Sequence, residues 1–152
     1  MFFIVYTFYV VFLLFLMKFI NPPTTAFIQQ NNKTSYFESI YVNSIKQDWV
    51  PIKSISKNIA FSVIASEDQR FPQHFGLDYV ELEKVVEDRI TKGKVRGGST
   101  ITQQVAKNLF LYPQKLTIRK LFEVYYATLL EIIWTKSRIL EVYLNIAQFG
   151  EN

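Results

Sequence analysis

The first twenty residues, MFFIVYTFYVVFLLFLMKFI, are apolar except for Thr7 and Lys18. As a helix such a run measures roughly 30 Å, the hydrocarbon thickness of a bilayer, so residues 1–20 read as a single N-terminal transmembrane helix. The rival reading is a cleaved signal peptide. It is disfavoured because no basic residue precedes the apolar run, the run is long, and no small-x-small cleavage site follows. Lys18 and Lys33 lie on the C-terminal side, which by the positive-inside rule alone would put the remainder in the cytoplasm.

Residues 21–50 read as a linker. Pro22 and Pro23 stop the helix, and the Asn/Gln/Thr run from Thr24 to Thr34 has no periodicity. Such a linker would let the following domain sit against a membrane without being fused to the anchor. Tyr36–Val42 and Trp49–Ile55 are possible strands. Residues 51–152 form the domain, with enough apolar content for a core. The absence of cysteine excludes disulfides and thiolate metal sites. A net charge of +4 and a pI near 9.2 suit anionic lipid or phosphate. No RNA-binding or zinc-finger spacing is present, so nucleic acid is not an expected partner.

From Ser56 onward the pattern is helical. Ile59, Ala60, Val63 and Ile64 lead to Glu67, and Asp78-x-x-Glu81 opens a helix reaching about Thr91. A long helix follows Thr117, with Leu121, Tyr125, Leu129, Ile132 and Ile133 on one face, leaving Lys120 and Glu123 to look elsewhere. Ile139, Leu140, Tyr143, Leu144 and Ala147 repeat the spacing. The domain is therefore expected to be mainly α.

The segment from Arg96 to Glu123 carries the chemistry. Gly97 and Gly98 give backbone freedom, and Thr100-x-x-Gln103 is a capping box, so a helix starts near Ser99 with its unpaired N–H groups available to an anion. Lys107, Lys115, Arg119 and Lys120 follow, with Glu123 as the nearby carboxylate. Together these suggest a diphosphate seat with an acid beside it. Taken singly, a Gly-Gly turn into a helix and a solvated basic face are the commoner meanings. The polar run Ser99, Thr100, Thr102, Gln103 and Gln104 argues otherwise, because it leaves the helix little to bury and must face water or line a polar site. Upstream, Glu67 ends an apolar helical run and is a candidate acid or base, although a helix-end charge in solvent is the commoner case. His74, the sole histidine, reads as a packing or hydrogen-bonding residue. Two carboxylates and a cationic seat suit glycosyl transfer from a diphosphate donor.

Four segments occur in order: EDQRFPQHFGLD at 67–78, GGSTITQQVAKN at 97–108, RKLFE at 119–123 and KSRILEVYLN at 136–145. With them the chain resembles the peptidoglycan glycosyltransferases (glycosyltransferase family 51), most closely the monofunctional, membrane-anchored branch. The resemblance implies a lysozyme-like helical fold at the cytoplasmic (inner) membrane, single-pass, with the catalytic domain on the outer, periplasmic face; this overrules the charge-based orientation. It implies polymerisation of lipid II into β-1,4-linked glycan strands, with inversion and release of undecaprenyl diphosphate. Glu67 then matches the proposed base on the acceptor hydroxyl. Glu123 matches the carboxylate that stabilises the donor diphosphate, directly or through a divalent metal (Mg or Mn). Ser99, Thr100, Gln103, Lys107, Lys115, Arg119 and Lys120 fall on substrate- or diphosphate-binding motifs. No organic cofactor is implied, and the partners are lipid II, the lipid-linked strand, the membrane and other cell-wall synthesis proteins.

The sequence departs from the family pattern in three places. Lys115 and Lys84 stand where arginine is usual, which keeps the charge but loses the bidentate fork. The chain ends at Asn152, before the fifth motif of the family, so a truncated domain is expected. The alternative function is accordingly a catalytically weak, anchored protein that binds lipid II or cell-wall partners. A strand-cleaving lytic enzyme ranks last, because it has no use for a diphosphate seat. The aromatic residues Phe61, Phe71, Phe75, Phe110, Tyr112 and Phe122 would serve the core or a membrane-facing surface.

Overall fold

A computed structural model of the chain describes residues 1–22, 25–26, 48–93, 97–111 and 117–147. Most of the expected linker, the expected strand Tyr36–Val42, Tyr112 and Lys115 lie outside these residues. Six α-helices are present among them: α1 (Phe2–Met17), α2 (Lys57–Glu67), α3 (Tyr79–Lys92), α4 (Ile101–Phe110), α5 (Thr117–Ile133) and α6 (Lys136–Ile146). No strand occurs in the described residues. The domain is mainly helical, consistent with a lysozyme-like architecture.

The core is a three-helix contact. On α4, Ile101, Val105, Ala106 and Leu109 form the buried stripe, packed with Tyr126, Ala127 and Leu130 of α5, Trp134 just beyond it, and Ile139, Val142, Tyr143 and Ile146 of α6. Residues three and four apart share a face, which explains each set. For α5 the buried face is not the expected one. Leu121 and Ile132 are largely exposed, whereas Glu123 and Glu131 are buried beside Tyr126 and Leu130. Ion pairs compensate these carboxylates: Glu131 accepts from Thr102 Oγ1 at 2.6 Å and from Lys136 Nζ at 2.7 Å. The Lys136 ammonium also sits 4.4 Å from the Phe71 ring centre.

The expected strand Trp49–Ile55 is a single 3-10 turn, Ile52–Ser54, entered through Pro51. Proline supplies no N–H for a ladder, and side chains of α6 take the neighbouring backbone groups. Asn145 exchanges two bonds with Val50, at 2.8 and 2.9 Å, and Glu141 accepts from Ile52 N at 2.8 Å.

Helix α1 closes at Met17, so its 16 residues span roughly 24 Å rather than the expected bilayer thickness. No helix among the described residues is long and apolar enough to cross a membrane. Nor is α1 a detached anchor, as a free linker would have made it. Val10 and Leu14 are buried in the core, Tyr125 OH donates to Thr7 Oγ1 at 2.9 Å, and Trp134 Nε1 donates to the Leu14 carbonyl at 2.7 Å. Arg138 binds the Met17 and Ile20 carbonyls at 2.8 and 3.1 Å, pairs with Glu141, and lies between the rings of Trp49 and Trp134.

This clasp has a measurable weight. Arg138→Ala leaves a shielded carboxylate and the Met17 and Ile20 carbonyls without a charged donor, and is expected to cost about 2–3 kcal/mol in urea unfolding of the full chain in detergent. Arg89→Ala on the exposed side of α3 is expected to stay within about 0.5 kcal/mol of the parent.

Candidate active site

The start of α4 is the centre of the site. Thr100 caps it: its Oγ1 accepts from Gln103 N at 3.2 Å, and Thr100 N in turn donates to Gln103 Oε1 at 3.0 Å. Thr100 Oγ1 also donates to the Gly76 carbonyl at 2.6 Å, tying α4 to the loop after α2. Gly76 holds φ +77, which favours glycine, and a Cβ there would sit tightly, 3.3 Å from the Ala127 carbonyl oxygen.

Asp68, the residue after α2, is 7 % exposed and accepts from Ile101 N at 2.9 Å. The resident anion of this helix start is therefore a side chain of the protein. This corrects the expectation that the amides of α4 are open to a diphosphate. His74 Nε2 contacts both Asp68 oxygens, at 2.9 and 3.0 Å, which fits the structural reading of this histidine. Within the polar run of α4, Thr100, Thr102 and Gln103 are buried with partners inside the protein, while Ser99, Thr100, Gln103 and Gln104 also line polar clefts.

Two adjoining clefts meet at Ser99. The first is lined by Glu67, Asp68, Arg70, Asp78, Glu81, Lys84 and residues 97–100. The second is lined by Ser99, Gln103, Gln104, Lys107, Arg119, Lys120 and Glu123. Glu67 is the exposed last residue of α2, not a buried one, and its Oε2 accepts from Gln104 Nε2 at 2.9 Å. In the second cleft Glu123 is buried. It pairs with Arg119 and accepts from Lys120 Nζ at 2.8 Å, while Lys120 also donates to Ser99 Oγ at 2.7 Å. Partial burial, then the neighbouring charges of Arg119 and Lys107, lower the Lys120 pKa from its ordinary value.

The structure thus unites Glu67, Ser99, Lys107, Arg119, Lys120 and Glu123 around one cleft system. Thr100 and Gln103 are turned largely to capping. Gln104 was not singled out as a site residue from the sequence. Its partner is a carboxylate 37 positions away, and only its place one residue after Gln103 in the polar run hinted at a role.

The donor set around Glu123 does not fit a divalent metal. Its oxygens are taken by two cations, and among the described residues it belongs to no group of three or more such ligands. Asp68, His74 and Asp78 do approach within 4.8 Å of one another. Their atoms serve the α4 start, the α3 cap at Glu81 N and an ion pair with Arg70.

Two substitutions test this frame. Thr100→Val removes a cap and its bond to the Gly76 carbonyl, with an expected loss of about 1–2 kcal/mol by thermal or urea unfolding. Asp68→Ala strands the Ile101 N–H and the His74 ring N–H, with an expected loss of about 2–4 kcal/mol.

Comparison with known proteins agrees with the geometry. Residues 32–152 match the family described as Transglycosylase. The chain is 43 % identical over 134 residues to the biosynthetic peptidoglycan transglycosylase of Vibrio parahaemolyticus, covering 88 % of this chain and 59 % of that protein. The proteins of the same name from Pasteurella multocida and Haemophilus influenzae are 42 % and 44 % identical, over 90 % and 91 % of this chain and 56 % and 58 % of their own. The chain spans less than three fifths of the length of these relatives. With the family matched from residue 32 onward and residues of the first three motifs lining two adjoining clefts, the chain belongs to the transglycosylase family.

Proposed function

We propose that this chain is a peptidoglycan glycosyltransferase that polymerises lipid II into β-1,4-linked glycan strands and releases undecaprenyl diphosphate. The observation that carries the reading is the pairing of an exposed carboxylate, Glu67, with an adjoining cleft that holds Lys107, Arg119 and Lys120.

The 4-hydroxyl of the acceptor sugar loses its proton to Glu67 as its oxygen bonds to the donor anomeric carbon. The C–O bond to the diphosphate breaks on the opposite side, which inverts the centre. Negative charge builds on the departing phosphate oxygens, and the three cations of the second cleft meet it there. Glu123 holds Arg119 and Lys120 in place and limits their mutual repulsion. No step is assigned to a metal.

Attachment to the outer face of the cytoplasmic membrane belongs to the same proposal. Its support is the apolar exterior of α1, where Phe2, Phe3, Ile4, Phe8, Phe12 and Phe15 are all exposed. Ile118, Leu121 and Phe122 of α5 are also exposed, on the helix that carries Arg119 and Lys120. A lipid-linked substrate would be met at such a surface, and association with other cell-wall synthesis proteins fits the same location.

The deciding experiment is polymerisation of lipid II by the full chain in detergent, beside Glu67→Gln, with products resolved as glycan strands. Strands from the parent and none from the variant are expected. A folded parent that makes no strands would overturn the polymerase reading and leave lipid II binding as the function. A second test uses inorganic diphosphate. Because the Lys120 pKa is lowered, its charge disappears at a lower pH than that of an ordinary lysine. Diphosphate affinity by calorimetry should therefore fall as pH rises, beginning below the usual lysine range, and Lys120→Arg should move that fall to higher pH.

A further inference from the structure

Helix α1 is apolar on two opposite faces that meet different surroundings. Thr7, Val10, Leu14 and Met17 recur at helical spacing and lie against the core. Phe8, Phe12 and Phe15, continued by Phe19, recur at the same spacing on the other side and are exposed. The inner face is in register with α5 and the start of α6 along its whole length. The Phe3 ring packs 5.9 Å from that of Tyr125, and Tyr6 OH touches Tyr126 OH. Trp134 Nε1 donates to the Leu14 carbonyl at 2.7 Å, and Arg138 donates to the Met17 and Ile20 carbonyls at 2.8 and 3.1 Å. Residues 3–20 therefore run beside residues 125–138.

That register decides how α1 can meet a bilayer. Crossing it in this register would draw Glu131, Lys136 and Arg138 toward the hydrocarbon, where charges are costly. Crossing it after leaving the core would strand the donors of Trp134 and Arg138. Neither cost arises if the helix lies flat, with its inner face on the domain and its outer face in lipid.

We propose that α1 lies in the plane of one leaflet and holds the chain to an anionic bilayer without crossing it. The inference rests on the proposed attachment to a membrane and gives it a geometry. Ile118, Leu121 and Phe122 extend the apolar strip: they are exposed and precede Tyr125 by seven, four and three residues, so they share its face, next to Phe3. Cations border the strip. Lys18 is the only charged side chain of residues 1–22, and Arg119 and Lys120 alternate with the apolar residues of α5, whereas Glu123 in the same turn is buried. An apolar strip edged by cations and free of exposed carboxylates complements anionic headgroups. Because Arg119 and Lys120 line the second cleft, this pose sets that cleft at headgroup level.

The chain has no cysteine of its own, so single cysteines report topology. One is placed in a short polar extension ahead of Phe2, another at Arg89→Cys on the exposed side of α3, each in the full chain expressed in bacterial cells. Spheroplasts are treated with a membrane-impermeant maleimide before and after permeabilisation. Both sites are expected to react before it. Reaction of the two sites from opposite sides would overturn the proposal. Reaction of both only after permeabilisation would uphold the flat helix and overturn the outer-face reading instead. A second arm measures flotation of the full chain with phosphatidylglycerol and phosphatidylethanolamine vesicles. The parent is expected to float, and Phe8→Ser combined with Phe12→Ser to lower its partitioning about tenfold or more with helical content unchanged. A folded parent that does not float, or a double variant that partitions like the parent, would overturn the proposal. Strand synthesis tests the polymerase reading independently of either arm.

Discussion

The capped start of α4 is the constraint on which the rest depends. A helix begins with backbone N–H groups that have no partner in the helix itself, and here the chain supplies partners from distant places. Thr100 and Gln103 close the capping box, Asp68 takes Ile101 N, and Thr100 in turn holds the Gly76 carbonyl. These contacts bring the end of α2, the following loop and α4 to one point. Glu67 precedes Asp68 in the chain, so fixing Asp68 also fixes where Glu67 emerges.

That arrangement divides the labour between polar groups. Those at the helix start are used up in holding the fold, and side chains further along α4 and on the first turns of α5 line the second cleft. Glu123 belongs to both classes. It is buried, which would be costly alone, and it is tolerable because Arg119 and Lys120 pair with it. The same pairing packs cationic side chains together, and Lys120 reaches Ser99 at the edge of both clefts.

Helix α1 adds a second constraint. Its inner face is consumed by α5 and α6 through Leu14, Thr7 and the Arg138 clasp, whereas its outer face remains apolar and exposed. The segment that the sequence presents as a separable anchor is part of the wall that supports α5. Movement of α1 would be felt at Tyr125 and Tyr126, within one turn of Glu123.

Local chemistry determined much of this protein. The caps at Asp78 and Thr100, the helices ending near Glu67 and Thr91, and the stripe on α6 follow from spacing and side-chain type, which act over a few residues. The four motifs pointed to the family and to Glu67, Lys107, Arg119, Lys120 and Glu123. Tertiary structure decided what short-range pattern does not contain. It chose the buried face of α5, because Glu131 finds Thr102 only once α4 is packed against that face. It filled the α4 start with Asp68 from 33 positions away, replaced a predicted strand by a turn held on α6, and brought Gln104 to Glu67. Each of these depends on a partner distant in sequence, and a polar residue shows the same local pattern whether its partner is water, substrate or another helix.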